Sequence, residues 1–178
     1  DESQFTASVG FDPSVAEVPH IMEGRRGEPS RNVQVYDLAS RRLIDAELVE
    51  RAIGFMRRRH EAGQPFVCYV PLVHLHLPTL PHPDCAGRTG FGEFADSMVE
   101  LDHRVGMLAD AVDALGIARD TLFIFCSDNG PEYRLPYRGT AGPWRGTYHT
   151  AMEGSLRVPF IARWPGRVPA GRVSNEMV

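Results

Sequence analysis

Two short stretches of this 178-residue chain hold the residues best suited to chemistry. One is Val73-His74-Leu75-His76-Leu77-Pro78, the other Ser127-Asp128-Asn129-Gly130-Pro131-Glu132. The Asp128 carboxylate and the Asn129 amide oxygen are hard donors of the kind that Ca²⁺ and Mg²⁺ prefer. The imidazole of His76 can donate to an anion or protonate a leaving group. Local chemistry leaves other readings open. Asn129-Gly130 is also a common tight-turn pair, and His74 and His82 differ little from His76 on local grounds. Cys68, Cys85 and Cys126 are too few and too scattered for a disulfide framework or a paired-cysteine metal site. Cys68 and Cys126 sit within apolar runs, where a free thiol packs as a small core residue.

Each of the two stretches follows an apolar run that would position it. Phe66 to Leu72 reads as a strand buried on both faces. Thr121 to Cys126 reads as a second strand, and Val158 to Arg163 as a third whose Pro159 favours an edge or a bulged start. Between Ile44 and Ala62, Leu48, Ala52, Phe55 and Met56 recur at helical spacing. Asp45 and Glu47 lie early, Arg57 to His60 late and Gly63 just beyond, an order that suits a helix dipole. Met98, Leu101, Val105, Leu108, Val112 and Leu115 form a stripe that predicts a helix over about 95–115 with this face buried, closed by Gly116. The segment from Val73 to Phe94, rich in His, Pro and Gly, reads as a long loop. Alternation of helix and strand predicts an α/β fold with a largely parallel sheet and packed helices. Ligands gather beyond the carboxyl ends of such strands, so His76, Asp128 and Asn129 are expected to converge on one cleft. Residues 1–35 show no sustained period and carry scattered Gly and Pro. The expected organisation is therefore an irregular surface segment over 1–43 and an α/β core portion over 44–178.

Composition narrows the class. With 43% apolar and 24% charged residues, the chain can build a core. Its 17 glycines and 14 prolines argue for many loops rather than a helical bundle. A balance of 19 basic against 23 acidic residues gives a net charge of -4, which supplies no general attraction for nucleic acid or anionic lipid. No apolar run reaches the length of a membrane span. The opening Asp1-Glu2-Ser3-Gln4 carries no secretory pattern; compartment and oligomeric state are not legible.

Read in order, the motifs resemble a known family. A His-x-Pro segment follows one buried run. A long amphipathic helix comes next, then a strand ending in Ser-Asp-Asn-Gly-Pro-Glu, then Glu153-Gly154-Ser155-Leu156-Arg157-Val158-Pro159 and Trp164-Pro165-Gly166. This order resembles the arylsulfatases of the alkaline-phosphatase-like superfamily, most strongly over residues 65–178. Upstream, Pro19-His20-Ile21-Met22-Glu23-Gly24 followed by Gly27-Glu28-Pro29-Ser30-Arg31 is similar to the segment that precedes this region in the family. The resemblance implies a partial sulfatase domain whose parent hydrolyses sulfate esters of small molecules. It implies that Asp128 and Asn129 are metal ligands, usually for Ca²⁺, and that His76 contacts the sulfate or the bridging oxygen. Arg145 stands near where many sulfatases carry a Lys that grips the sulfate, although the spacing to Glu153 is longer than in the common version.

Sulfatases also carry a Cys-x-Pro-Ser-Arg type motif whose Cys is oxidised to formylglycine, the nucleophile. None of the three cysteines fits: Cys68 precedes Tyr-Val-Pro, Cys85 precedes Ala-Gly-Arg and Cys126 precedes Ser-Asp-Asn. The resemblance places that motif and further metal ligands upstream of this chain, so the chain alone is expected to be inactive. Two other readings stand beside this one. A phosphatase or phosphonate hydrolase of the same superfamily would share the metal chemistry, but those relatives usually end the corresponding strand in Asp-His rather than Asp-Asn. A noncatalytic sulfatase-like remnant would also lack the nucleophile.

Overall fold

A computed structural model describes residues 19–132 and 139–174. The chain divides into two compact units, residues 1–43 and 44–178. In the first unit β1 (His20–Glu23) and β2 (Arg31–Val35) pair antiparallel, His20 opposite Val35 and Glu23 opposite Arg31, with a slip in register between Ile21 and Met22. The Tyr36 N–H donates to the Pro19 carbonyl at 2.8 Å just beyond this ladder. A short ribbon thus stands where the sequence predicts an irregular segment. Every β2 position is exposed, so neither face had to be apolar and no half-buried-strand alternation arose. Residues 1–18, part of the same expectation, lie outside the described residues.

Helix α1 (Leu38–Glu61) begins well before the apolar stripe that marks it. The cause is a reciprocal cap. Ser40 N–H donates to Asp37 Oδ1 and Asp37 N–H donates to Ser40 Oγ, each at 2.8 Å. This satisfies two backbone donors at the helix start, as in a capping box. The Ser40 hydrogen bonds hold the Asp37 carboxyl below its ordinary range. Arg58, Arg59 and His60 occupy the last turn, where cations complement the exposed carbonyls, and Gly63 follows at φ 61°.

In the second unit the core gathers Val49, Ala52 and Met56 of α1 with Leu108 and Val112 of α2 (Glu93–Ala114). Phe66, Cys68, Val70, Leu72 and Phe123 pack against them. The run from Phe66 to Leu72 therefore turns alternate side chains inward. Its other face is open: Val67 is 92% and Tyr69 86% exposed. The sequence predicts a strand buried on both faces, yet this run is extended, covered on one side and outside any assigned ladder. Continuous apolar character does not distinguish one buried face from two.

β3 (Phe123–Cys126) pairs antiparallel with β4 (Phe160–Arg163), Phe123 opposite Arg163 and Cys126 opposite Phe160. Both ladders among the described residues are antiparallel, where the alternation of elements predicts a largely parallel sheet. Apolar runs carry no direction, and the long segment 127–159 can return in either sense; antiparallel edge strands are common on α/β sheets. Arg163 fixes β4 to the end of α2 through both Asp113 carboxylate oxygens at 2.7 and 2.9 Å. The Trp164 indole N–H donates to the Arg119 carbonyl at 2.7 Å.

Helix α2 corrects the predicted stripe at its amino end. Leu108 and Val112 are buried and Leu101, Val105 and Leu115 half-buried, but Met98 is 44% exposed. The first turns bury Asp96, Ser97 and Glu100 instead. Cys68 packs on the core and Cys126 is exposed, so only the first behaves as the small core residue expected of both. Among the described residues, no helix is long and apolar enough to cross a membrane.

Candidate active site

The loop from Val73 to His82 presents His76. Its first residues are tied to α1, where the buried Asp45 carboxylate accepts the Val73 N–H at 2.7 Å and the His74 N–H at 2.9 Å. Its far end is tied to α2, where Glu100 Oε2 accepts the His82 N–H at 2.6 Å. The same oxygen lies 2.9 Å from His74 Nε2. A carboxylate only accepts, so Nε2 carries the proton. Arg104 Nε donates to Glu100 Oε1 at 3.2 Å. Burial pushes the Glu100 carboxyl up, but the bonds from His74 and the His82 amide, the His74 charge and Arg104 outweigh it and bring it to about 2.

His76 stands exposed between these anchors. Its N–H donates to the Val73 carbonyl at 3.0 Å, and its Nδ1 lies 2.6 Å from the Leu77 carbonyl oxygen. That oxygen can only accept, so Nδ1 holds a proton.

Asp128 and Asn129 follow β3 after the single residue Ser127. Asp128 is exposed. Asn129 Nδ2 donates to the Gly130 carbonyl at 2.8 Å and Ser127 Oγ to the Asn129 carbonyl at 3.1 Å. With its amide nitrogen donating to the Gly130 carbonyl, Asn129 keeps Oδ1 as its side-chain acceptor. Two adjacent hard oxygens fit part of a Ca²⁺ or Mg²⁺ shell, which for Ca²⁺ takes six to eight oxygens. Among the described residues no group of three or more His, Cys, Asp and Glu is placed to hold a metal. The turn reading and the ligand reading are compatible: the hydrogen bonds within the turn leave both oxygens available.

Gly130 locks this loop to the next. Its N–H donates to the Ser155 carbonyl at 2.7 Å. A Cβ at Gly130 would collide with the Gly154 carbonyl oxygen and lie 2.8 Å from Ser155 Cα. The Tyr148 N–H reaches the Pro131 carbonyl at 3.1 Å, and the Gly154 N–H reaches the Arg145 carbonyl at 2.8 Å. The one-turn helix α3 (Glu153–Leu156) is thereby stitched to both loops. Arg145 is exposed on this assembly, beside an open depression of about 430 Å³ lined by Trp144, Met152 and Glu153 among others. The Arg157 guanidinium lies 4.1 Å over the Trp144 ring and binds the Glu153 carboxylate.

Of the four residues singled out from sequence, Asp128, Asn129 and Arg145 thus share one hydrogen-bonded loop assembly, and His76 belongs to a second loop anchored on α1 and α2. Sequence reasoning missed Asp45, Glu100 and Arg104, and left His74 level with His76 without showing its buried partners. Asp45 and Glu100 look like ordinary solvated helix positions. Met98, Leu101 and Val105 keep the stripe's spacing unbroken past Ser97 and Glu100, so periodicity carried no signal for them.

The α/β unit with these two loop assemblies has an alkaline-phosphatase-like fold, the fold of the sulfatases it resembles in three dimensions. It superposes on the crystal structure of the PsFucS1 sulfatase from Pseudoalteromonas sp. with a TM-score of 0.81 and 29% identity, over 97% of this chain and 34% of that one. A structure from a Bacteroides thetaiotaomicron locus that metabolises multiple glycosaminoglycans gives a TM-score of 0.67 at 30% identity, over 76% of this chain and 29% of that one. The chain belongs to the sulfatase family, which matches residues 3–178. It is 38% identical over 135 residues to arylsulfatase A of Bos taurus, covering 75% of this chain and 26% of that protein. Steryl-sulfatase of Mus musculus is 37% identical over 139 residues, covering 75% and 22% respectively. The chain therefore spans about a quarter of the length of the curated relatives it matches.

Proposed function

We propose that this chain supplies part of the active site of a metal-dependent sulfuric ester hydrolase. The observation that carries the reading is the junction of two family-like motifs through Gly130 and Ser155, which seats Asp128, Asn129 and Arg145 in one loop assembly. Asp128 and Asn129 would supply a carboxylate and an amide oxygen to a divalent cation, Ca²⁺. When bound, the cation offsets negative charge on the sulfate. Arg145 binds the sulfate from the same assembly. His76, protonated on Nε2, gives its proton to the departing ester oxygen, while the Leu77 carbonyl keeps the ring in register through Nδ1.

The relatives include an arylsulfatase and a steryl-sulfatase, so the shared chemistry is the sulfate ester rather than one leaving group. The nucleophile is supplied by a formylglycine-bearing region, since no cysteine here lies in the required motif. The chain by itself is accordingly inactive. A chromogenic aryl sulfate and the matching aryl phosphate, each assayed with Ca²⁺, test the proposal. The chain alone gives buffer-level rates on both, and a polypeptide joining it to the formylglycine region hydrolyses the sulfate in preference. Metal-dependent turnover by the chain alone, or preference of the joined polypeptide for the phosphate, overturns it.

A further inference from the structure

The 73–82 loop is closed by a single buried atom. Glu100 Oε2 accepts a hydrogen bond from His74 Nε2 at 2.9 Å and another from the His82 N–H at 2.6 Å, joining two points of the loop that flank His76. Glu100 is wholly buried, and the His74 side chain is 6% exposed. Asp45 holds the same end of the loop from α1 through the Val73 and His74 amides, and Thr79 within the loop is also fully buried. A buried carboxylate with charge-assisted bonds to both of its oxygens resists displacement more than a neutral acceptor does.

We propose that Glu100 is a positioning residue for His76: it clamps the loop at both ends and so fixes the imidazole with Nδ1 toward the Leu77 carbonyl. The inference rests on the reading of His76 as the proton donor, and it gives a role to the acid that α2 buries beside the loop. Glu100→Gln is the informative change. Its amide has one oxygen and one NH₂, so whichever way it lies, an NH₂ faces either Arg104 Nε or the pair of donors from His74 and His82.

Asp96 supplies the control. It lies on the same helix, is equally shielded, and anchors the neighbouring loop by accepting the Gly87 N–H at 2.7 Å, the Thr89 N–H at 2.9 Å and the Thr89 hydroxyl at 2.7 Å. Asp96→Asn therefore removes a comparable anchor without touching the 73–82 loop.

The readout is imidazole ¹⁵N NMR of the chain at a pH where His76 is neutral. Wild type and Asp96→Asn are expected to show His76 as a single Nδ1–H tautomer with well-separated ring nitrogen shifts. Glu100→Gln is expected to bring the two shifts together as tautomers and ring orientations average. Thermal melts are read first; if Glu100→Gln does not fold, Glu100→Asp, which keeps the charge but cannot reach both donors, takes its place with the same expectation. An unchanged His76 signature in the Glu100 variant, or equal averaging in Asp96→Asn, overturns the proposal. Failure of the catalytic reading is separately visible: turnover of an aryl sulfate indifferent to His76→Ala removes the role of His76 and leaves the NMR contrast intact.

Discussion

Glu100 and His74 meet 2.9 Å apart with both side chains almost wholly buried, one from the first half of α2 and the other from the start of a Pro-rich loop. A carboxylate so placed is retained because every part of it is bonded: His74 and the His82 amide on one oxygen, Arg104 on the other. Leaving such a group half-satisfied is costly, so the pair couples helix packing to loop geometry.

This coupling makes stability acid-sensitive in a defined window. Glu100 is held at about 2 against an ordinary value of 4.5. A depressed carboxyl contributes stability that is fully present above its unfolded value and is lost as pH falls toward the folded value. Melting temperature should therefore drop between pH 4.5 and 2, and the drop should be smaller in Glu100→Gln, which already lacks the contribution at neutral pH. Equal drops in the two proteins, followed by circular dichroism, would refute the assignment.

The two ends of the α2 stripe should respond differently to truncation. Leu108 is 8% exposed and sits in the core, whereas Met98 is 44% exposed. Leu108→Ala should cost about 2–5 kcal/mol, as for buried Leu elsewhere. Met98→Ala should stay within about 0.5 kcal/mol, as for exposed positions. Urea midpoints at constant slope measure both, and similar losses would contradict the packing described.

Much of this architecture was legible in the sequence because it follows from periodicity. The α2 stripe predicts a helix over about 95–115, close to the observed Glu93–Ala114, and the apolar runs 66–72 and 121–126 mark where the chain packs on the core without telling which face is covered. The unread parts follow from interactions without a period. The Asp37–Ser40 cap extends α1 beyond its stripe. Strand direction is set by where a long connection returns, which for β3 and β4 is antiparallel. In the site, Asp128 and Asn129 stood out by type and order. Glu100 did not, because an acid on a helix reads as solvated until a partner distant in sequence buries it.

Two glycines should give opposite signs. A Cβ at Gly130 collides with the backbone of Gly154, while one at Gly106, within α2, meets nothing within 4 Å. Gly130→Ala should destabilise by about 1–3 kcal/mol, the usual range for overpacking, and should raise amide exchange at position 130. Gly106→Ala should stabilise by about 0.4–1 kcal/mol, because Ala restricts the unfolded chain and favours helix. Chemical denaturation decides the signs, and a neutral Gly130→Ala would mean that the two motifs are not locked together.

Asp128 is proposed to serve the cation and His76 the leaving group, and a single paired measurement separates the two roles. In the polypeptide that joins this chain to a formylglycine-bearing region, Ca²⁺ affinity by calorimetry and kcat on an aryl sulfate are compared for Asp128→Ala and His76→Ala. Asp128→Ala should lose metal affinity and activity together. His76→Ala should bind Ca²⁺ as wild type does and lose roughly 10²–10⁴ in kcat, the range for a general acid. Unchanged turnover in His76→Ala, or undiminished Ca²⁺ binding in Asp128→Ala, would contradict the claim.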